Sequence, residues 1–248
     1  MRAVIRVEAL KLTRSPVGVV ATLAVVLALL GGITAGVAGG NPDLIAKAGP
    51  DGALDWNGLL AGATQVTAVV SILGFGIVLA WMFGREFVEG TITGLFALPA
   101  SRGKIALAKL TVYALWAVIV SGALTLGVLL LGLTFSYGPP SAEVWTTLGR
   151  LFILGVLSTG LAVPVAWFAT VFRSLLAAVG CTIALVVTAQ VGALAGEGGG
   201  WMPFAAPALW AMSNGAAVTA IQLGATLTVP VVFAVLCCVS WSDLQLDR

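Results

Sequence analysis

Residues 83–109 read FGREFVEGTITGLFALPASRGKIALAK. Arg85, Glu86, Glu89, Arg102, Lys104 and Lys109 all fall here, in a chain of 248 residues with only 12 basic and 10 acidic side chains. The flanks, 58–83 and 110–135, are apolar and carry no charge. At about 1.5 Å rise per residue each is long enough to cross a hydrocarbon core about 30 Å thick. The charged stretch therefore reads as a short loop between two membrane-spanning helices.

The remainder of the chain divides the same way. It is 60% hydrophobic and 9% charged, with a mean hydropathy of +1.10. A soluble domain is about half apolar and a quarter charged, so only a bilayer can serve as solvent for this surplus. Charge-free apolar stretches cover roughly 17–38, 58–83, 110–135, 151–172, 174–195 and 217–241. They predict six transmembrane helices, the third and fourth reaching back to 105 and 143. The fold class is an all-α polytopic membrane protein, because backbone groups in lipid must pair within their own segment and no strand-like alternation is present. Residues 1–15 precede the first span, 84–104 form the loop after the second, and 198–215 precede the last. That last segment is broken by Trp201-Met202-Pro203, Pro207 and Ser213-Asn214-Gly215, and reads as re-entrant on the outer side. Pro164 and Pro230 are expected to kink their helices by removing an internal hydrogen bond. The run 17–38 exceeds the apolar core of a signal peptide and reads as a retained first span.

Lys and Arg set the orientation. Arg2, Arg6, Lys11, Arg14, Arg85, Arg102, Lys104, Lys109, Arg173 and Arg248 fall on one side, and only Lys47 and Arg150 on the other. The positive-inside rule then places both termini and the 84–109 loop in the cytoplasm of a plasma-membrane protein. Trp56, Trp145, Trp201 and Trp210 lie near outer helix ends, Trp81 and Trp241 near inner ones, a distribution resembling an aromatic belt.

What the spans lack narrows the function. No Asp, Glu, Lys or Arg lies deep in any of them and histidine is absent, so the usual relay of a proton- or ion-driven carrier is missing. The side chains of an intramembrane serine, zinc or aspartyl protease are missing too, as is a GxxxxGK[ST] phosphate loop. The chain itself reads as neither an enzyme nor an ATPase, with no cofactor, no metal and no nucleic-acid partner. Cys181, Cys237 and Cys238 sit in apolar runs as packed thiols. Neutral polar residues fall into stripes. Thr64, Thr67 and Ser71 share a face of the second helix, and Thr219, Gln222 and Thr226 repeat that spacing in the last, with Gln65 and Gln190 the bulkiest buried amides. Such stripes either pack helix on helix or line a substrate path.

Within the opening stretch, Gly84 is expected to let the chain leave the second helix. Arg85-Glu86-Phe87-Val88-Glu89 then runs along the membrane surface with Glu86 and Glu89 toward water. Gly90-Thr91 makes a turn, Ile92–Leu98 is a short apolar segment stopped by Pro99, and Ser101 opens the next helix. Arg102, Lys104 and Lys109 fall at headgroup level. The positive-inside rule explains those bases but not the two acids beside Gly-Thr.

The pattern Arg85-Glu86-x-x-x-Gly90-Thr91, followed by Leu98-Pro99-x-Ser101-Arg102 and Lys109, resembles the signature of ABC-2 type transporter permeases. The resemblance implies an interfacial elbow helix at the N-terminus and a coupling helix within 85–98 that seats in a partner ATPase. Its ATPase-coupling residues would be Arg85, Glu86, Glu89, Gly90, Thr91, Pro99 and Arg102, with Arg173 in a smaller second contact. It further implies two cytoplasmic ABC ATPases that bind ATP and Mg, and a second permease copy or paralogue. Thr64, Thr67, Ser71 and Gln190 become candidates for the substrate cavity. The function so implied is export of an amphipathic or lipophilic drug, peptide antibiotic or lipid by alternating access. The alternative is an ion-gradient-driven secondary transporter or channel acting without an ATPase.

Overall fold

In the computed structural model the described residues are 2–14, 55–92, 94 and 101–244. The expected first span 17–38, most of the outer loop, Pro99 and the segment 95–100 lie outside them. Helix α1 is Arg2–Arg14, α2 Trp56–Val88, α3 Arg102–Thr134, α4 Ala142–Leu161 and α5 Pro164–Phe172. After α6 (Leu175–Leu194) come a 3₁₀ turn over Gly196–Trp201, α7 (Ala206–Met212), α8 (Ala220–Thr226) and α9 (Thr228–Ser242). Taken by length and apolarity, α2, α3, α4–α5, α6 and α8–α9 are five candidate membrane spans. They coincide with five of the six expected from the sequence.

Helix α2 is the hub. It packs against α3, α4, α5 and α6, and 67% of its most apolar window is buried, against 17% for α8–α9. Asp55 caps its start by accepting the Gly58 N–H. Both expected proline breaks are present. Pro164 is the first residue of α5, directly after α4 ends, and Pro230 lies in the first turn of α9, where the ladder parts at Leu227. Pro removes the donor for the carbonyl four residues back, so each break falls one turn upstream or less.

Gly84 does not release the chain. Helix α2 runs on through Arg85 and Glu86 to Val88, with Glu89 as its C-cap and Gly90 at φ +66° turning the chain away. Its 33 residues make a rod about 50 Å long, more than the bilayer core requires, so its end stands clear of the apolar stretch. Gly84 instead permits contact: a Cβ there would lie 3.1 Å from Leu175 Cα at the start of α6. Two turns earlier a Cβ on Gly76 would lie 2.4 Å from Thr182 Cγ2. These two glycines let α6 lie directly on α2. Gly76→Ala is therefore expected to cost about 1–3 kcal/mol. Thr182→Ala in the same chain should return most of that loss in an SDS unfolding titration.

Several sequence expectations shift in the fold. Gln65 is exposed and Gln190 half-buried; the buried amide is Gln222. Of Thr219, Gln222 and Thr226, only Gln222 and Thr226 lie buried within the last span, because Thr219 caps α8 in a capping box with Gln222. Trp145 and Trp201 are exposed, as a belt requires. Trp56 and Trp241 are interior: Trp56 donates to the Gly138 carbonyl, and Trp241 is fully buried. The segment 198–215 folds as part of the 3₁₀ turn and α7, with Ala208 and Ala211 against Ala68 and Leu154 of α2 and α4.

Candidate functional site

The helix ends on the basic side of the molecule converge on one cluster. Glu8 and Lys11 come from α1, Glu86 from the last turn of α2, and Lys109 from the third turn of α3. Lys109 Nζ donates to Glu8 Oε2 at 2.8 Å, Glu86 Oε1 at 2.7 Å and the Met82 carbonyl at 3.2 Å. All three of its protons are thus engaged. Lys11 Nζ bonds Glu8 Oε1 at 3.0 Å and Glu86 Oε1 at 3.1 Å, and Thr91 donates to Glu86 Oε2 at 2.5 Å. The result is a closed ring of two acids and two bases in which each carboxylate touches both ammoniums. Glu8, Glu86 and Lys109 are 3%, 1% and 1% exposed, whereas Lys11 is at the rim. Only such saturation makes burying three charges tolerable.

Burial pulls the Lys11 ammonium down, but the charges and hydrogen bonds of Glu8 and Glu86 outweigh it and hold its pKa above the ordinary 10.5. A base whose folded pKa is raised contributes stability below its unfolded value and loses it above. The Lys11 contribution is thus constant through the neutral range and fades only in strong alkali.

The ring revises the sequence reading at two positions. Glu86 does not face water, and Lys109, like it, is sealed inside the protein, because α2 and α3 extend past the apolar stretches and turn these residues toward α1. Glu8 was not singled out from the sequence. The signal was its place as the lone acid of α1, three residues before Lys11.

The other coupling candidates surround it. Glu89 is 48% exposed and pairs with Arg85 at 3.2 Å, whose guanidinium also lies 4.7 Å over Trp81. Gly90 and Thr91 follow on the surface. The Arg102 guanidinium donates to the Leu244 carbonyl, tying the start of α3 to the end of α9. Arg173 adopts φ +49° between α5 and α6, and the Gly84–Leu175 approach brings that turn beside the end of α2. On a neighbouring face of α2, Trp241 packs edge-on against Phe83 and Phe87, with ring centroids at 5.9 and 6.5 Å, and donates to Thr170 Oγ1 at 2.9 Å. The last turns of α2 are therefore held by the ion ring and by aromatic packing on a neighbouring face.

The cavity candidates are less united. Thr64, Thr67 and Ser71 are all buried on α2; Thr64 donates to the Leu60 carbonyl and borders a cavity of about 310 Å³. Thr67 and Ser71 are not among its lining residues, and Gln190 lies on α6.

Two comparisons bear on this arrangement. The chain is 24% identical over 110 residues to the bacitracin transport permease protein BCRB of Bacillus licheniformis, a match covering 44% of this chain and 53% of the relative. The match thus spans about half the length of that relative. The family model described as "ABC-2 family transporter protein" matches residues 4–191, which include most of α1 and the whole ion ring. The chain belongs to the ABC-2 family of transporter proteins.

Proposed function

We propose that this chain is the membrane-spanning subunit of an ATP-binding cassette exporter in the plasma membrane, with both termini cytoplasmic. Two copies, or one copy and a paralogue, work with two cytoplasmic ATPases that bind ATP and Mg. ATPase closure drives alternating access of a largely neutral cavity to an amphipathic or lipophilic cargo. A peptide antibiotic or drug fits that description, and the name of the bacitracin permease relative supports the former; a lipid is the third class. The segment 198–215 dips into the membrane from outside, shielded by α2 and α4.

The observation that carries this reading is the clamped end of α2. A docking element must transmit a push without bending. Here the exposed Glu89-Gly90-Thr91 surface stands on a helix end fixed to α1 and α3 by the ring and to α9 by Trp241. The burial of Glu86 divides the labour: Glu89 meets the ATPase, and Glu86 holds the element at its angle.

The test is purification of the tagged protein from native membranes in mild detergent. A soluble ATPase is expected at near-stoichiometric yield and is expected to be lost on Glu89→Lys, a surface change that leaves the ring intact. A homo-oligomer without ATPase, with transport abolished by an ionophore, would overturn the reading in favour of a gradient-driven carrier.

A further inference from the structure

The cavity of about 310 Å³ lies at the opposite end of α2 from the ion ring, between α2, α4 and the end of α7. Its volume is at the small end of ligand sites, about 300–1,000 Å³. Both hydroxyls and the one charged side chain on its wall are left to accept hydrogen bonds. Thr64 Oγ1 has spent its proton on the Leu60 carbonyl at 2.8 Å, and Thr147 Oγ1 on the Glu143 carbonyl at 3.1 Å. Asn57 has turned its amide nitrogen to Asp55 Oδ2 at 3.2 Å, which leaves its oxygen to accept. The one formal charge on the lining is the Glu143 carboxylate, which has no ion-pair partner among the described residues. The nearby base Arg150 is engaged with Asn214 Oδ1 at 3.1 Å. Leu60 and Met212 supply apolar wall beside these acceptors.

We propose that this cavity is a binding pocket for the ammonium end of an amphipathic amine, open to the outer side. An alkylammonium has donors only, which matches the Thr64 and Thr147 hydroxyl oxygens, the Asn57 amide oxygen and the Glu143 carboxylate, and its stem meets Leu60 and Met212. An anion would face the Glu143 carboxylate, with only the neutral amide N–H groups of Asn57 and Asn214 as side-chain donors on the lining. The outward direction rests on the orientation proposed above; the ligand chemistry does not.

The probe is Ala61→Cys in a chain whose Cys181, Cys237 and Cys238 are alanine. Ala61 lines the pocket from α2, across from Glu143 on α4. A trimethylammonium methanethiosulfonate should label it from outside intact cells, with a preference over the sulfonate reagent that falls about tenfold on Glu143→Gln. In proteoliposomes octylammonium should slow the labelling, octanoate should not, and Glu143→Gln should remove the difference. Met212→Cys repeats the measurement should Ala61→Cys fail to accumulate. Labelling from inverted vesicles alone would overturn the orientation and leave the pocket standing. Equal protection by octylammonium and octanoate, or a reagent preference unmoved by Glu143→Gln, would overturn the ammonium site itself.

Discussion

Lys109→Met is expected to destabilise the protein by about 3–5 kcal/mol, the usual cost of removing one partner from a buried ion pair. The change strands Glu8 and Glu86 with Lys11 alone between them and leaves the Met82 carbonyl without its side-chain donor. SDS unfolding of purified protein reads the loss. Adding Glu86→Gln restores charge balance, because one acid, Glu8, then faces one base, Lys11. The double variant Glu86→Gln/Lys109→Met should therefore be more stable than Lys109→Met, although it carries one more substitution. A double variant as unstable as the sum of the two single ones would show that the ring is not the energetic unit. Well-packed apolar residues can match or exceed the stability of a saturated buried ion cluster. The distinctive contribution of the ring is directional: bonds of 2.7–3.1 Å between three helices fix their mutual angles.

Trp241→Ala is expected to cost about 3–5 kcal/mol for a different reason. Lipid solvates apolar groups as well as the protein interior does, so in a membrane the penalty comes from lost contacts and the cavity left behind. Trp241 is 0% exposed and touches Phe83 and Phe87 of α2 and Thr170 of α5, so the hole opens where three helices meet. Trp241→Phe keeps most of the ring contact and loses the indole donor, for about 1 kcal/mol. Both variants should loosen the last turns of α2, read as faster amide exchange from Phe83 to Val88. Unchanged exchange in Trp241→Ala would show that the ion ring holds this end without help.

Much of the architecture was legible because a bilayer imposes a simple rule. Apolar runs long enough to cross it must be helices, and prolines must interrupt them, so five spans and the breaks at Pro164 and Pro230 followed from composition and spacing. The family signature was legible at Arg85-Glu86 and Gly90-Thr91 for the same local reason.

Side-chain direction at helix ends was not legible. Gly84 reads as an exit by propensity, yet it serves the approach of Leu175, a residue 91 positions later. Glu86 and Lys109 read as wetted charges because solvation is the default for an ionisable group outside the apolar core. They are buried because each finds partners on other helices, and Glu8 is 101 positions from Lys109. The sequence by itself determined the solvent, the helices and the basic side, since these depend on sums over neighbouring residues. Only the tertiary structure decided which charges leave water, because that depends on partners that meet when distant helices pack.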